Sequence, residues 1–208
     1  MRRSVFAVLS IVIAAAGLAA GCASSKLPER FHALLAAPST APAPIANPVY
    51  VDVLPVQMPA QVDHAQWVVR QPDDSLLVLE QERWAAPLSE ELRGAIVEHL
   101  AARWNAVDVR GVGQPVGAVW RVRIDVQRFE SMPGREARVE ATWSLSMPAS
   151  AASARSAATL VCRSTFAEPV AEGGVPALAA AHRRIVGRLA DEIGPRRKAM
   201  SAGEAGRC

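Results

Sequence analysis

The protein has 208 residues, of which 50% are apolar, and it carries 23 basic and 20 acidic side chains. This length predicts one ordinary domain with tethers, and the apolar content is sufficient for a core and excludes general disorder. Arg2 and Arg3 belong to a leader segment, and without them 21 basic residues face 20 acidic ones, a net charge of +1. A chain so close to neutrality lacks the basic surface that nucleic-acid-binding proteins use for phosphates.

The N-terminus has the three parts of a secretory signal. Arg2 and Arg3 precede an apolar run over residues 5–20, and the small residues 19–21 stand directly before Cys22. The run is shorter than the ~20 residues of a membrane-spanning helix. A cysteine directly after such small residues can accept a diacylglyceryl group, so the sequence predicts a lipoprotein signal peptide over residues 1–21 and lipidation at Cys22. The alternatives are an uncleaved anchor helix and a plain secretory signal with a chance cysteine.

A short tether over residues 22–30 follows and spans at most about 30 Å when fully extended. We therefore expect the folded domain, residues 31–195, to stay close to its membrane. A polar tail over residues 196–208 is expected to be disordered.

Hydrophobic periodicity predicts strands first and then a helix. Apolar residues recur every four positions from Leu88 to Trp104, which is typical of an amphipathic helix. Upstream, we predict strands at residues 31–34 and 50–56, and a hairpin made of residues 66–70 and 76–80 around the turn Gln71-Pro72-Asp73-Asp74-Ser75.

The clearest strands lie in the second half of the chain. Apolar and polar residues alternate over 120–127 and again over 137–147, so one face of a sheet packs on a core and the other faces water or a partner. A weaker strand is predicted at residues 159–167. A last helix runs from Val175 to Ile193 and is expected to stop at Gly194-Pro195. The fold class is therefore α/β of the α+β type: a two-layer sandwich in which two amphipathic helices cover one face of a mixed or mainly antiparallel sheet.

Two cysteines remain besides Cys22. Cys162 and Cys208 could pair in an oxidising compartment. Cys162, however, shares a strand phase with Leu160 and Phe166, which a buried free cysteine explains without a partner. We expect no disulfide.

No residue pattern predicts catalysis, a metal site or a cofactor. The four histidines (His32, His64, His99 and His182) show no zinc-type spacing, and no nucleophile motif is present. The sequence therefore favours a protein that is not an enzyme, with an envelope hydrolase of unrecognised type as a remaining alternative.

A partner-binding surface is the remaining functional expectation. Trp104, Trp120 and Trp143 fall on core-facing phases, whereas Trp67 and Trp84 are less tied to a core pattern. Four charged residues lie on the polar phase of the clearest strands. The candidate surface residues are Trp67, Trp84, Arg121, Arg123, Arg138 and Glu140. The alternatives are ordinary core packing for the tryptophans and plain solvation for the charges.

Several segments, in their order along the chain, resemble a known family. They are M-P-A-Q-V-D-H-A-Q-W-V-V-R (58–70), E-R-W-A-A-P-L (82–88), V-R-I-D-V-Q-R-F (122–129), V-E-A-T-W-S-L (139–145), E-P-V (168–170) and A-A-A-H (179–182). This order resembles the PqiC (YmbA-like) family of ABC-type transport auxiliary lipoproteins. The resemblance extends over residues 31–193, and the element R-W-A-x-P-L before a helix is its most specific part.

The resemblance implies a non-catalytic accessory subunit of an intermembrane lipid transport system. Such lipoproteins are anchored in the outer membrane by palmitate-type acyl chains and dock a periplasm-spanning MCE-domain (PqiB-like) protein, and they support envelope integrity. Ala23 agrees with outer-membrane placement, since an aspartate after the lipidated cysteine favours retention at the inner membrane. A homo-oligomeric ring is one form the docking could take. The alternative is a stand-alone lipid-binding or envelope-assembly lipoprotein.

Overall fold

A computed structural model describes residues 27–35, 46–113, 115, 117–147, 158–203 and 208. The predicted signal peptide (1–21) and the lipidation site Cys22 lie outside these residues. Neither helix in the described part of the chain is long and apolar enough to cross a bilayer.

The described residues form eight strands and two helices in two sheets. The strands are β1 (Arg30–His32), β2 (Val49–Val53), β3 (Gln66–Arg70), β4 (Leu76–Trp84), β5 (Ala106–Asp108), β6 (Val119–Met132), β7 (Glu136–Met147) and β8 (Ala158–Pro169), and the helices are α1 (Leu88–Trp104) and α2 (Gly174–Ser201). A three-stranded sheet has the order β1-β4-β3, and a five-stranded sheet has the order β5-β2-β6-β7-β8. Both sheets are mixed, which confirms the predicted α+β class.

Helix α1 buries the stripe that the sequence predicted. Leu92, Ile96 and Leu100 are fully buried, and Glu90 and Glu91 lie in the first turn, where they complement the positive end of the helix dipole. The helix ends at Asn105, whose left-handed backbone (φ +55°) closes the last turn.

The two helices lie side by side on one face of the five-stranded sheet. Helix α1 contacts β2 and β5, and α2 contacts β7 and β8. Alternation along β6 and β7 sends Trp120, Val122, Ile124 and Trp143 toward the helices, where each is buried. The opposite face of this sheet is polar.

The sequence predicted one sheet, whereas the structure has two. The long strand β6 belongs to the larger sheet, and its far end contacts the smaller one. This strand shifts register between Val126 and Arg128, as at a β-bulge. Beyond that point residues 129–132 are all buried, because this end of β6 packs against β3 of the smaller sheet. Strict alternation therefore fails where β6 passes from one sheet to the other.

Helix α2 continues past the predicted stop. It runs through Pro195 to Ser201, so the expectation of a disordered tail is wrong for residues 196–201, while residues 204–207 are not described. The extra turns are held by tertiary contacts: Met200 is buried, and the Arg197 guanidinium lies 5.9 Å from the centre of the Trp104 ring. These contacts outweigh the backbone hydrogen bond that proline removes.

Cys162 and Cys208 form a disulfide, with their Cα atoms 5.5 Å apart. The expectation of a free cysteine is therefore wrong. Cys162 is buried, as its strand phase predicted. Burial does not exclude a disulfide here, because Cys208 lies next to β8 at the edge of the sheet. The bond fixes the last residue to the outermost strand of the five-stranded sheet.

Candidate docking surface

The outward face of the five-stranded sheet collects the four charged residues that the sequence singled out. Arg121 and Arg123 are exposed on β6, and Arg138 and Glu140 are half-buried on β7. All four lie on the side away from the helices, because the intervening residues of both strands are buried. We call this side the polar sheet face.

Glu140 is the centre of one ion-pair cluster on this face. Its carboxylate accepts from Arg163 of β8 at 3.3 Å, and Arg128 and Arg138 lie at 3.6 and 3.8 Å. The Glu140 side chain is 15% exposed, whereas the arginines are 37–67% exposed. The cluster therefore presents guanidinium groups outward over a shielded carboxylate.

A second cluster lies at the other end of the face. The Asp52 carboxylate pairs with Arg110 at 2.8 Å and with Arg121 at 3.3 Å. These side chains border a shallow depression of about 710 Å³, together with Ser146 and Thr159. Here too the exposed charges are basic.

Arg123 differs from the other arginines of the polar sheet face. It is exposed, lies opposite Ser144 of β7, and forms no ion pair with any carboxylate in the described part of the chain. Its neighbours on this face are Ser144 of β7, the exposed Val161 next to Ser144 on β8, and Asp125 two positions further along β6. The exposed Arg123 guanidinium, which has no ion pair in the described structure, is available to a carboxylate of a partner.

The structure corrects the interpretation of the two tryptophans. Trp67 has no exposed surface and Trp84 is 4% exposed, so neither can belong to a partner surface. Their rings stack with centroids 3.9 Å apart, and Phe129 lies edge-on to Trp84 at 5.9 Å. They join the smaller sheet to the end of β6, a contact between distant strands that periodicity does not reveal.

Sequence reasoning also missed several members of the two clusters. Arg163 follows the same alternation on β8 and could have been added to the surface on that signal. Arg128 could not, because the register shift in β6 moves it to the polar sheet face. Asp52 and Arg110 meet Arg121 through the parallel pairing of β2 with β6, which no local pattern indicates.

A groove between α1 and α2 is a further depression in the described structure, similar in size to the one beside Arg121. It has a volume of about 670 Å³. Its lining residues include the charged Glu98, Arg183 and Arg184, but apolar atoms form more of its surface than polar atoms do.

One buried pair has the geometry of a nucleophile and its base. The Ser131 hydroxyl lies 2.9 Å from Nε2 of His182, but both residues are inaccessible, and Nδ1 of His182 has no partner in the described structure. Burial lowers the pKa of His182 to about 3, so the ring is neutral at physiological pH. Its ring stacks on Phe129 at 3.9 Å, and we interpret the pair as core packing, deeper than the boundary position that the sequence suggested.

Taken together, the described residues form a two-layer α+β domain with a charged sheet face and two shallow depressions. The family model for the "ABC-type transport auxiliary lipoprotein component" matches residues 32–194. The chain belongs to this family.

One solved structure agrees with the fold, and a second is reported for comparison. A crystal structure titled as an uncharacterized protein is 15% identical, with a TM-score of 0.55, over 80% of this chain and 97% of that one. The crystal structure of protein XCC0632 from Xanthomonas campestris is 18% identical, with a TM-score of 0.49, over 82% of this chain and 85% of that one. None of the curated proteins compared matches the chain significantly.

Proposed function

We propose that this lipoprotein is a non-catalytic accessory subunit that docks a periplasm-spanning MCE-domain protein of an ABC-type intermembrane lipid transport system. Family membership supports a role in ABC-type transport. The observation that carries the docking role is the polar sheet face, where Arg123 lies between the two ion-pair clusters and itself forms no ion pair with a carboxylate of the described residues.

The proposed partner contact is electrostatic and partly exposed. Exposed charges contribute mainly to association rate and specificity, and mutating them changes both the rate and its salt dependence. The side of the partner that meets this face is therefore expected to be acidic.

The proposed location is the outer membrane, with the lipid anchor on Cys22 and the domain facing the periplasm. The support is in the sequence: the lipoprotein signal ends at Cys22, and Ala23 is not the aspartate that favours inner-membrane retention. Two or three acyl chains on Cys22 would give stable attachment, whereas one chain binds only marginally.

The test is a crosslinking purification of the lipidated protein from intact cells, with partners identified by mass spectrometry and the anchor located by membrane fractionation. Recovery of an MCE-domain protein with the outer-membrane fraction is the expected result. Recovery of abundant outer-membrane proteins alone would contradict the docking role.

A matched pair of variants makes the test specific to the surface. Arg123→Glu reverses a charge without breaking an ion pair and is expected to reduce recovery of the partner about tenfold, a loss of ~1.4 kcal/mol. Arg135→Glu, at an exposed arginine in the turn after β6, is the control and should leave recovery unchanged. Equal recovery with both variants would remove the polar sheet face from the proposal.

A further inference from the structure

Exposed apolar side chains in the described structure are concentrated around the smaller sheet. Six of the eight large exposed hydrophobic residues lie in β1, in β4 or beside β1: Leu27, Phe31, Leu35, Leu76, Leu77 and Val78. The other two are Val112 and Val161. The three consecutive residues of β4 are 41–46% exposed and directly follow the β3–β4 turn. We call residues 76–78, with the turn before them, the apolar hairpin tip.

One edge of β4 is open along the same residues. Strand β3 pairs with β4 from Leu76 onward on one side, but β1 covers only Glu82–Trp84 on the other. Within the described residues, positions 76–81 therefore have no strand neighbour on that side. An open apolar edge is a contact site or an aggregation hazard.

The direction of β1 determines which way the tether leaves the domain. Strands β1 and β4 are parallel, with Arg30 opposite Glu82. The pairing is fixed by the buried Glu82 carboxylate, which binds Arg30 and lies 2.6 Å from Nε2 of His32. Because β4 runs from the apolar hairpin tip toward Trp84, the chain before Arg30 approaches from the side of that tip.

The segment after β1 is held just as firmly. Glu91 of α1 accepts the backbone N–H of Leu34 at 2.8 Å, and Arg183 of α2 donates to the Ala33 carbonyl at 2.9 Å. The tether therefore enters the domain at a fixed place and in a fixed direction.

The length of the tether is sufficient for the anchor to reach the apolar hairpin tip. Leu76 is six positions before Glu82, about 20 Å along the strand at 3.3 Å per residue. Cys22 is eight positions before Arg30, so an extended tether reaches about 26 Å in the same direction. A tether of this length is therefore long enough for Cys22 to reach the level of residues 76–78.

We propose that the apolar hairpin tip contacts the surface of the bilayer in which the chain is anchored, forming a second membrane contact that sets the orientation of the domain. This inference rests on the proposed lipid anchor at Cys22. We assign a lipid surface as the contact partner, because the proposed anchor on Cys22 would bring the membrane to this end of the sheet. Asp73 and Asp74 in the turn keep the contact at headgroup depth and favour a surface poor in anionic lipid.

The contact is tested on the full mature lipoprotein in vesicles of phosphatidylethanolamine and phosphatidylcholine, which are both uncharged overall, that contain a nitroxide-labelled lipid. A fluorophore is attached at Leu77→Cys or, in the control, at Val112→Cys, an exposed apolar residue outside the smaller sheet. The label has one site, since Cys162 and Cys208 are paired and the Cys22 thiol carries the lipid. Val78→Cys replaces Leu77→Cys if that variant does not fold.

We expect about threefold more quenching at position 77 than at position 112, since an interfacial contact holds side chains within roughly 5–10 Å of the headgroup boundary. Equal quenching at the two positions would overturn the inference. The mass of the mature N-terminus distinguishes a failure of the proposed lipid anchor from a failure of the proposed hairpin contact. An unlipidated Cys22 rejects the anchor and this inference with it, whereas a lipidated chain with equal quenching rejects the hairpin contact alone.

Discussion

Gly194 of α2 lies directly against the indole ring of Trp104 of α1. A Cβ atom at position 194 would stand 2.7 Å from Cε2 and 2.8 Å from Cζ2 of that ring, closer than any ordinary contact. The absence of a side chain at position 194 is therefore what allows the two helices to approach each other here. The sequence predicted Gly194 as the helix stop, whereas the structure shows it as a packing residue within the helix.

We predict that Gly194→Ala destabilises the fold by about 1–3 kcal/mol, because the methyl group forces the helices or the indole to shift. Chemical denaturation of the mature protein measures the change. Trp104→Leu in the same chain should restore much of the loss. Gly187→Ala is the milder control, since its nearest neighbour is Cε1 of His99 at 3.1 Å. An equal effect of the two glycine substitutions would contradict the packing account.

The disulfide between Cys162 and Cys208 closes a loop with a sequence separation of 46 residues. In the chain-entropy model, such a crosslink stabilises a protein by about 4 kcal/mol through the unfolded state. We predict that dithiothreitol lowers the melting temperature of the natural protein and leaves that of Cys208→Ser unchanged. Two free thiols in the mature, lipidated protein purified without reductant would show that the bond does not form.

His182 makes a specific contribution to the pH dependence of stability. The pKa of the ring is about 3 in the folded protein because of burial, and 6.5 is its ordinary value. Between these values the unfolded chain binds the extra proton, so stability falls as the pH is lowered from 6.5 toward 3 and is independent of this group above 6.5. The slope is at most about 1.4 kcal/mol per pH unit.

A double variant isolates this effect from that of the carboxylates. His182→Phe with Ser131→Ala removes both members of the buried hydrogen bond, so that neither is left unsatisfied. Unfolding free energies measured from pH 7.5 to 4.5 should decline less steeply for the double variant than for the natural protein. Parallel pH profiles would show that His182 is accessible and titrates normally.

Glu140 is expected to organise the polar sheet face. Glu140→Gln removes the charge from a carboxylate that three arginines share, which leaves those arginines to repel one another. We predict a loss of about 1 kcal/mol in stability at low salt, which shrinks as salt screens the arginines. Arg123→Glu, which breaks no ion pair, should change stability far less. Equal losses for the two variants would mean that the cluster is not coupled.

The sequence predicted the elements better than their long-range contacts. Periodicity located α1, the β3–β4 hairpin and the polar phase of β6 and β7, because each pattern is local. The pairing of β2 between β5 and β6 depends on residues far apart in sequence, so the Asp52 cluster could not be foreseen. The burial of Trp67 and Trp84 was missed for the same reason, because it depends on contacts with the distant strand β6. The disulfide was missed because Cys208 and its partner Cys162 on β8 are far apart in sequence.

Docking through the polar sheet face is measured directly by photocrosslinking in living cells from a photoreactive amino acid at position 123. We predict an adduct with a subunit of the ABC-type transport system, and we expect this subunit to be its MCE-domain protein. No such adduct should form from position 135, where Arg135 is equally free of ion pairs in the described structure. Absence of the adduct at position 123, or equal adducts at both positions, would contradict docking through the polar sheet face.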